Sequence, residues 1–488
     1  MSFIFITGCA VSPNHFSAQE TVELTASDRL EIKSNSQPIG ATLTLEEAVA
    51  RALKYNLDQR VKMLEQSLAA GELEAGKFDM LPKLLVNAGY DWRSNFSHRY
   101  DAPYVTPTIF DTSSKPDVSV DPEHAQFDLK LSWNILDFGA SYYSAKQNAD
   151  KLLIANEKRR KAMHLLIQKV RTAYWRALAA ESLSEQVKIT TSNAEKALTE
   201  SEILAAERLS KPEEALRYQR NLLENLRLLE SVEQELISAR IELMNLIGAP
   251  PTARTKLIRP DLNMGPLKLS SQEMEEMALA SNADLKAQML NARVAAQETR
   301  KALLKLLPGI SLNFGKHYDD DRYLVNDDWS SAGLTVSYNL LNLLSGPSLM
   351  DMAEKREALE KARRMALQMT VLTQVHLSRN QYANAMKQYL RAKKIYKVDA
   401  QLEQIVKGKF AGKMVSKQTQ ISANVTTILS ELRLYQAMSK LQEASGQIQS
   451  TLGQEPYIDS VDDIVLKDLA ADISKWFVSN STTKGLAE

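Results

Sequence analysis

The chain has a single cysteine, Cys9, among 488 residues, so no internal disulfide can form. Glycine (17) and proline (15) are scarce, which removes the main helix breakers and favours long helices. Neither sign of charge prevails. Sixty Lys+Arg balance sixty Asp+Glu, so no basic field points to nucleic acid and no acidic tail to a basic partner. No apolar run approaches the ~18–20 residues of a transmembrane helix. A membrane crossing would need another route. The six histidines (His15, His98, His124, His164, His317, His376) form no HExxH pair, and there is no phosphate loop or dinucleotide fingerprint. No catalytic activity, cofactor or metal is expected. "HYDDDRYLVNDDW" (317–329) holds hard-cation donors, but without the spacing of a known calcium loop it reads as a solvated surface loop.

What is present is a tandem duplication. With Pro82 set on Pro308, Glu47 falls on Glu273, Asn56 on Asn282, Asp58 on Asp284 and Leu81 on Leu307. Further on, "SWNILD" (132–137) matches "SYNLLN" (337–342), and "NLIG" (245–248) matches "STLG" (450–453). A unit of roughly two hundred residues therefore occurs twice. The first copy spans 42–250, the linker 251–267 and the second copy 268–456, with an N-terminal extension (1–41) and a C-terminal tail (457–488). The first copy carries the longer inner connection, "SHRYDAPYVTPTIFDTSSKPDVSVDPEH", rich in Pro, Asp and Ser and read as a loop.

Each copy has the order helix, strand, loop, strand, long helix, return helix. The strands alternate with period two. In "FDLKLSWNILDFG" (127–139), Phe127, Leu129, Leu131, Trp133 and Ile135 alternate with Asp128, Lys130, Ser132 and Asn134. Strands are likewise expected at 85–92, 310–315 and 334–340, within hairpins at 84–137 and 310–342. The long helices are placed at 141–209 and 348–407 and the return helices at 213–247 and 417–452. The first long helix would measure about 100 Å at 1.5 Å per residue. Asn56 and Asn282 are expected to end one helix, with Asp58 and Asp284 capping the next. A seam of Leu166, Val170, Ala173, Ala177, Ala180, Ser184, Val187, Thr191, Ala194 and Leu198 has coiled-coil spacing.

In lipid every backbone N–H and C=O must be paired, so a spanning sheet must close into a barrel. Four strands are too few, since the smallest such barrels have about eight. Either the strands form a small wet sheet or several chains share one barrel. Sharing explains an apolar face opposite a polar one. Phe127, Leu129, Leu131, Trp133 and Ile135 would then face lipid, and Asp128, Lys130, Ser132 and Asn134 a watery lumen. Trp92, Trp133 and Trp329, the last in the second hairpin's loop, fit an aromatic girdle. Gly139 would absorb the bend between strand and helix.

The order and duplication of "TLEEAVARALKYNLD", "KFDMLPKLLVNAGY", "LSWNILDFG", "ARIELMNLIGAPP", "LLPGISLNFG" and "SYNLLN" resemble the TolC family of outer-membrane efflux proteins. The resemblance covers about 42–456. It implies an α+β membrane protein in which three chains, a homotrimer, close a twelve-stranded barrel continuous with a periplasmic α-helical barrel. It implies an exit duct for multidrug or metal efflux or type I secretion in a Gram-negative bacterium. The partners it implies are outer-membrane lipid, a periplasmic adaptor and an inner-membrane RND, ABC or MFS transporter, with no nucleic acid. Ile6-Thr7-Gly8-Cys9 resembles a bacterial lipobox, so Cys9 is the expected lipidation site. The turns 207–219 and 407–422 would form the periplasmic tip. There the second turn keeps Gly412 with Ser416, while the first uses Ser210, Lys211 and Pro212. The resemblance places a gate-closing acid at Glu213, with Phe410, Lys413 and Lys417 as candidate partners. The rival reading is a soluble coiled-coil scaffold, which has no need of a two-faced sheet.

Overall fold

The computed structural model describes residues 14–99, 117–207, 212–261, 264–456, 458, 461 and 463–479. In chain order the elements are α1 (Ala18–Asn35), β1 (Thr42–Leu43), α2 (Leu45–Tyr55), α3 (Leu57–Phe78), β2 (Lys83–Trp92), β3 (Ser97–Arg99), β4 (Asp117–Val120), β5 (Glu123–Asn134), α4 (Ile135–Ala206), α5 (Pro212–Leu246), β6 (Lys256–Leu257), α6 (Ser271–Ser281), α7 (Ala283–Leu304), β7 (Gly309–Asp319), β8 (Asp328–Ser337), α8 (Asn342–Ala411), α9 (Lys417–Leu452) and α10 (Leu466–Ser479). They form two compact units. One contains 1–61, 162–278 and 374–488, the other 62–161 and 279–373, so each repeat supplies both units.

The first unit is mainly helical. Its core includes Leu43, Val49, Tyr174, Leu222, Leu243, Ile428, Leu441, Ile448 and Ile473. The Tyr174 hydroxyl lies 2.7 Å and 2.6 Å from the carbonyl oxygens of Leu43 and Ile258. It thus pins the α4 surface to the short parallel pair β1–β6. Arg171 is fully buried and donates to Gln449 Oε1 at 2.7 Å and Gln442 Oε1 at 2.6 Å. Burial among neutral acceptors pushes its guanidinium down to about 10.

The buried seam of α4 follows the expected spacing through Leu166, Val170, Ala173, Ala177 and Ala180. It then shifts to Leu183, Val187, Thr190, Ala194 and Ala197, in place of Ser184, Thr191 and Leu198. Two successive three-residue steps, from Ala177 to Ala180 to Leu183, act as a stammer. They drop the local spacing below 3.5 residues per turn and so overwind the seam there.

The second unit holds the four-stranded antiparallel sheet, ordered β2-β5-β7-β8, with α3, α7 and parts of α4 and α8. Arg293 Nε donates to Asp150 Oδ1 at 2.8 Å and Gln147 Nε2 to Glu298 at 2.8 Å, tying α4 to α7.

Several boundaries differ from the sequence reading, each for a local reason. Strand β5 stops at Asn134, whose Oδ1 accepts the N–H groups of Leu136 (2.9 Å) and Asp137 (3.1 Å). This is helix-capping geometry, so Ile135 opens α4 and is not a strand residue. Gly139 lies inside the helix. A Cβ there would meet Leu304 Cδ1 at 3.1 Å, so this glycine permits close approach to α7 instead of making a bend. The helix caps belong to the asparagines. Asn56 Oδ1 accepts Gln59 N–H and Asn282 Oδ1 accepts Leu285 N–H, each at 3.1 Å, while Asp58 and Asp284 sit in the first turns. The long first loop contains the small antiparallel pair β3–β4. Strand β8 ends at Ser337, because Asn339 Oδ1 accepts Leu341 N–H at 3.1 Å and turns the chain. Tyr338 and Leu340 lie beyond it. Helix α8 begins at Asn342 and carries Pro347 inside, where proline has no N–H for the preceding turn.

Candidate functional site

The sheet is the first candidate. Its strands are ten to twelve residues long, against ~9–11 for a tilted strand crossing a bilayer. Register sets the two faces. Val86 stands opposite Leu129, Leu84 opposite Leu131, Leu131 opposite Phe314, and Trp133 opposite Leu312. Leu312 in turn stands opposite Leu334, and Ile310 opposite Val336. These side chains share one face, and Leu84, Val86, Leu129, Phe314, Leu334 and Val336 are all exposed in the single chain. Phe127 packs on Tyr318 with ring centroids 6.3 Å apart.

The other face is polar and cross-linked. Asn134 Nδ2 donates to Ser311 Oγ at 3.0 Å, and Ser132 Oγ to Asn313 Oδ1 at 2.9 Å. Asp128 Oδ1 lies 2.6 Å from His317 Nδ1. Lys130 stands opposite Gly315 on the same face. Trp329 is not in a loop. It lies on β8 opposite His317 and stacks on that ring at 5.1 Å, so it belongs to the polar face. On the apolar face the row of Lys316 and Ser330 is polar, and Lys316 pairs with Asp328.

At the hairpin ends, Asp319 Oδ1 is 2.8 Å from His124 Nδ1, and Asp321 Oδ1 accepts the N–H of Asp121 at 3.0 Å. Asp121 also pairs with Arg322. These acids are committed to protein donors. Among the described residues no group of three His, Cys, Asp or Glu side chains is placed to hold a metal ion, and no helix is long and apolar enough to cross a membrane.

The helix turns are the second candidate. Ser416 caps α9, its Oγ accepting Thr419 N–H at 3.2 Å. At the end of α8, Met414 N–H bonds Lys409 O and Lys413 N–H bonds Phe410 O, each at 2.9 Å. Lys413 takes the left-handed conformation (φ 54), one residue past Gly412. Phe410 is half-buried. Pro212 opens α5, where its missing N–H costs nothing. Within the chain Glu213 pairs with Arg217 at 2.7 Å, both largely exposed. Lys417 reaches Glu200 on α4 at 3.0 Å, with Tyr218 beside them. Burial raises the Tyr218 hydroxyl above its ordinary value, and Lys417 opposes the shift. The sequence reading missed Glu200, which lies on the long helix, outside the turns. Cys9, Ser210 and Lys211 lie outside the described residues.

No protein-family model and no curated protein matches the chain. Solved structures do. The outer-membrane channel OprN matches with a TM-score of 0.63 at 17% identity, over 84% of this chain and 90% of that one. The Campylobacter jejuni CmeC outer membrane channel matches with a TM-score of 0.66 at 12% identity, over 90% of each chain. The open state of the Neisseria gonorrhoeae MtrE outer membrane channel matches with a TM-score of 0.59 at 16% identity, over 84% of this chain and 88% of that one. This chain therefore has the fold of the TolC-like outer-membrane channels.

Proposed function

We propose that three copies of this chain close a twelve-stranded barrel in an outer membrane and form an exit duct. The carrying observation is the sheet with one apolar and one polar face and two edge strands, β2 and β8. An edge strand in lipid needs a partner for its backbone, and the β2 edge of one copy meets the β8 edge of the next. The helices support this reading. Ile395, Val398, Leu402 and Ile405 on α8 are spaced 3-4-3 and about half exposed, and Leu216, Leu223, Ile237 and Ile241 on α5 are similarly exposed at heptad-compatible steps. Apolar seams of this kind seek a neighbouring helix. In this duct the polar face lines the lumen and the apolar face meets lipid.

The turns holding Ser210, Lys211, Pro212, Glu213, Phe410, Gly412, Lys413, Ser416 and Lys417 form its periplasmic end. There an adaptor and an inner-membrane transporter of the RND, ABC or MFS class dock, and Cys9 carries a lipid anchor. The pair Lys417–Glu200 ties the two repeats at this end. Fractionation and bilayer recording test the reading. The protein should sediment with outer membranes, require detergent, and give discrete conductance steps in a planar bilayer. Recovery in the soluble fraction without detergent would favour the coiled-coil scaffold.

A further inference from the structure

Three side chains from three strands meet on the polar face in an order that gives a serine its base. His317 on β7 places Nδ1 2.6 Å from Asp128 Oδ1 on β5. Its Nε2 lies 2.8 Å from Ser331 Oγ on β8. A carboxylate can only accept, so Nδ1 carries the ring proton. In the neutral imidazole Nε2 is then bare and accepts the Ser331 hydroxyl proton. Trp329 stacks on the ring with an interplanar angle of 17° and holds its plane. Gly315 stands opposite Ser331. A Cβ at Gly315 would sit 2.6 Å from His317 Nε2 and 2.9 Å from Ser331 Oγ, so a residue without a side chain is needed for the two to meet.

Carboxylate, imidazole and hydroxyl in this sequence raise the nucleophilicity of a serine. We infer that Ser331 is an activated nucleophile and a covalent modification site for small activated esters that reach the polar face of the sheet. Ser331 Oγ attacks the ester carbonyl carbon, the Oγ–C bond forms, and the bond to the leaving alkoxide breaks. The serine proton passes to His317 Nε2 and from there to the leaving group. In the closed barrel proposed above, the N–H groups of β7 and β8 are taken up by neighbouring strands, so no pair of free donors awaits the oxyanion. One stable adduct per chain follows, not turnover.

The test uses the full-length protein in detergent, p-nitrophenyl acetate as the probe, and peptide mass mapping. Acetylation should fall on Ser331 at least tenfold faster than on Ser330, its chain neighbour on the opposite face. His317→Ala and Gly315→Ala keep the serine and should each lose at least tenfold in rate, and Asp128→Asn should also slow it. Variants are compared only where they keep the parent's melting transition, and the ratio of Ser331 to Ser330 labelling in the parent decides the matter where a variant does not fold. Equal rates at Ser331 and Ser330 in the parent, or a His317→Ala variant as reactive as the parent, would mean that the three residues only tie the strands together.

Discussion

In the sheet, Asp128, Ser132 and Asn134 each reach a side chain on the neighbouring strand at 2.6–3.0 Å. In the first helix turn, Glu213 reaches Arg217, four residues along its own helix and largely in solvent. The sheet's polar contacts join segments nearly two hundred residues apart and define a face. That contact is local, and exposed pairs hold little; at the second turn Lys417 does reach Glu200 of the other repeat, again in a largely exposed pair. The difference follows from geometry. A ladder fixes where every side chain points, whereas a helix end leaves long charged side chains free to choose partners. The sheet is therefore the rigid wall of the molecule, and the turns are the part whose contacts a neighbouring copy or partner can rewrite.

The largest expected effect lies on the wall. Leu131→Arg should cost about 2–4 kcal/mol of folding free energy in lipid, read by denaturant unfolding in vesicles. Ser132→Arg, one residue on, should leave stability nearly unchanged and alter conductance. Equal costs at the two positions would break the distinction between faces. At the turn, Ser416→Ala removes a helix cap and should cost about 1 kcal/mol, seen as a lower denaturation midpoint. Lys413→Gly relieves a left-handed backbone and should stabilise by up to about 1 kcal/mol. Smaller still, Glu200→Gln should barely move stability yet change single-channel conductance if the Lys417 pair narrows the duct.

The smallest effect depends on pH. Burial raises the Glu431 carboxyl above its ordinary value, against the Tyr396 hydroxyl, which favours the charged form. The folded state therefore holds this proton more tightly than the unfolded one. Its stabilising contribution is present below the unfolded value and is lost as pH rises through the folded one. Glu431→Gln should then gain on the parent toward neutral pH, the gap closing below about pH 4, as thermal melts across pH 3–8 would show.

The duplication, the four alternating strands and the long helices were legible in the sequence because period and order are written residue by residue. The faces of Phe127 to Asn134 followed from alternation alone. Ile135 did not, because alternation runs on past Asn134 and only the cap on Leu136 and Asp137 ends the strand. The seam of α4 was legible up to Ala180. Beyond it the 4-3 spacing leads to Ser184, and only the packing of the folded chain reveals the extra three-residue step to Leu183. Trp329 and Glu200 were misplaced or missed for another reason. Their roles depend on partners distant in sequence, His317 across a strand pair and Lys417 from the other repeat.

The central claim is that separate copies complete one barrel through β2 and β8. Paired cysteines along 85–91 and 329–335, in a Cys9→Ser background, test it most directly. On oxidation in native membranes, some pairs should give disulfide-linked dimers and trimers that dissociate on reduction. A chain that stays monomeric at every pair, while folded in the membrane, would contradict the shared barrel.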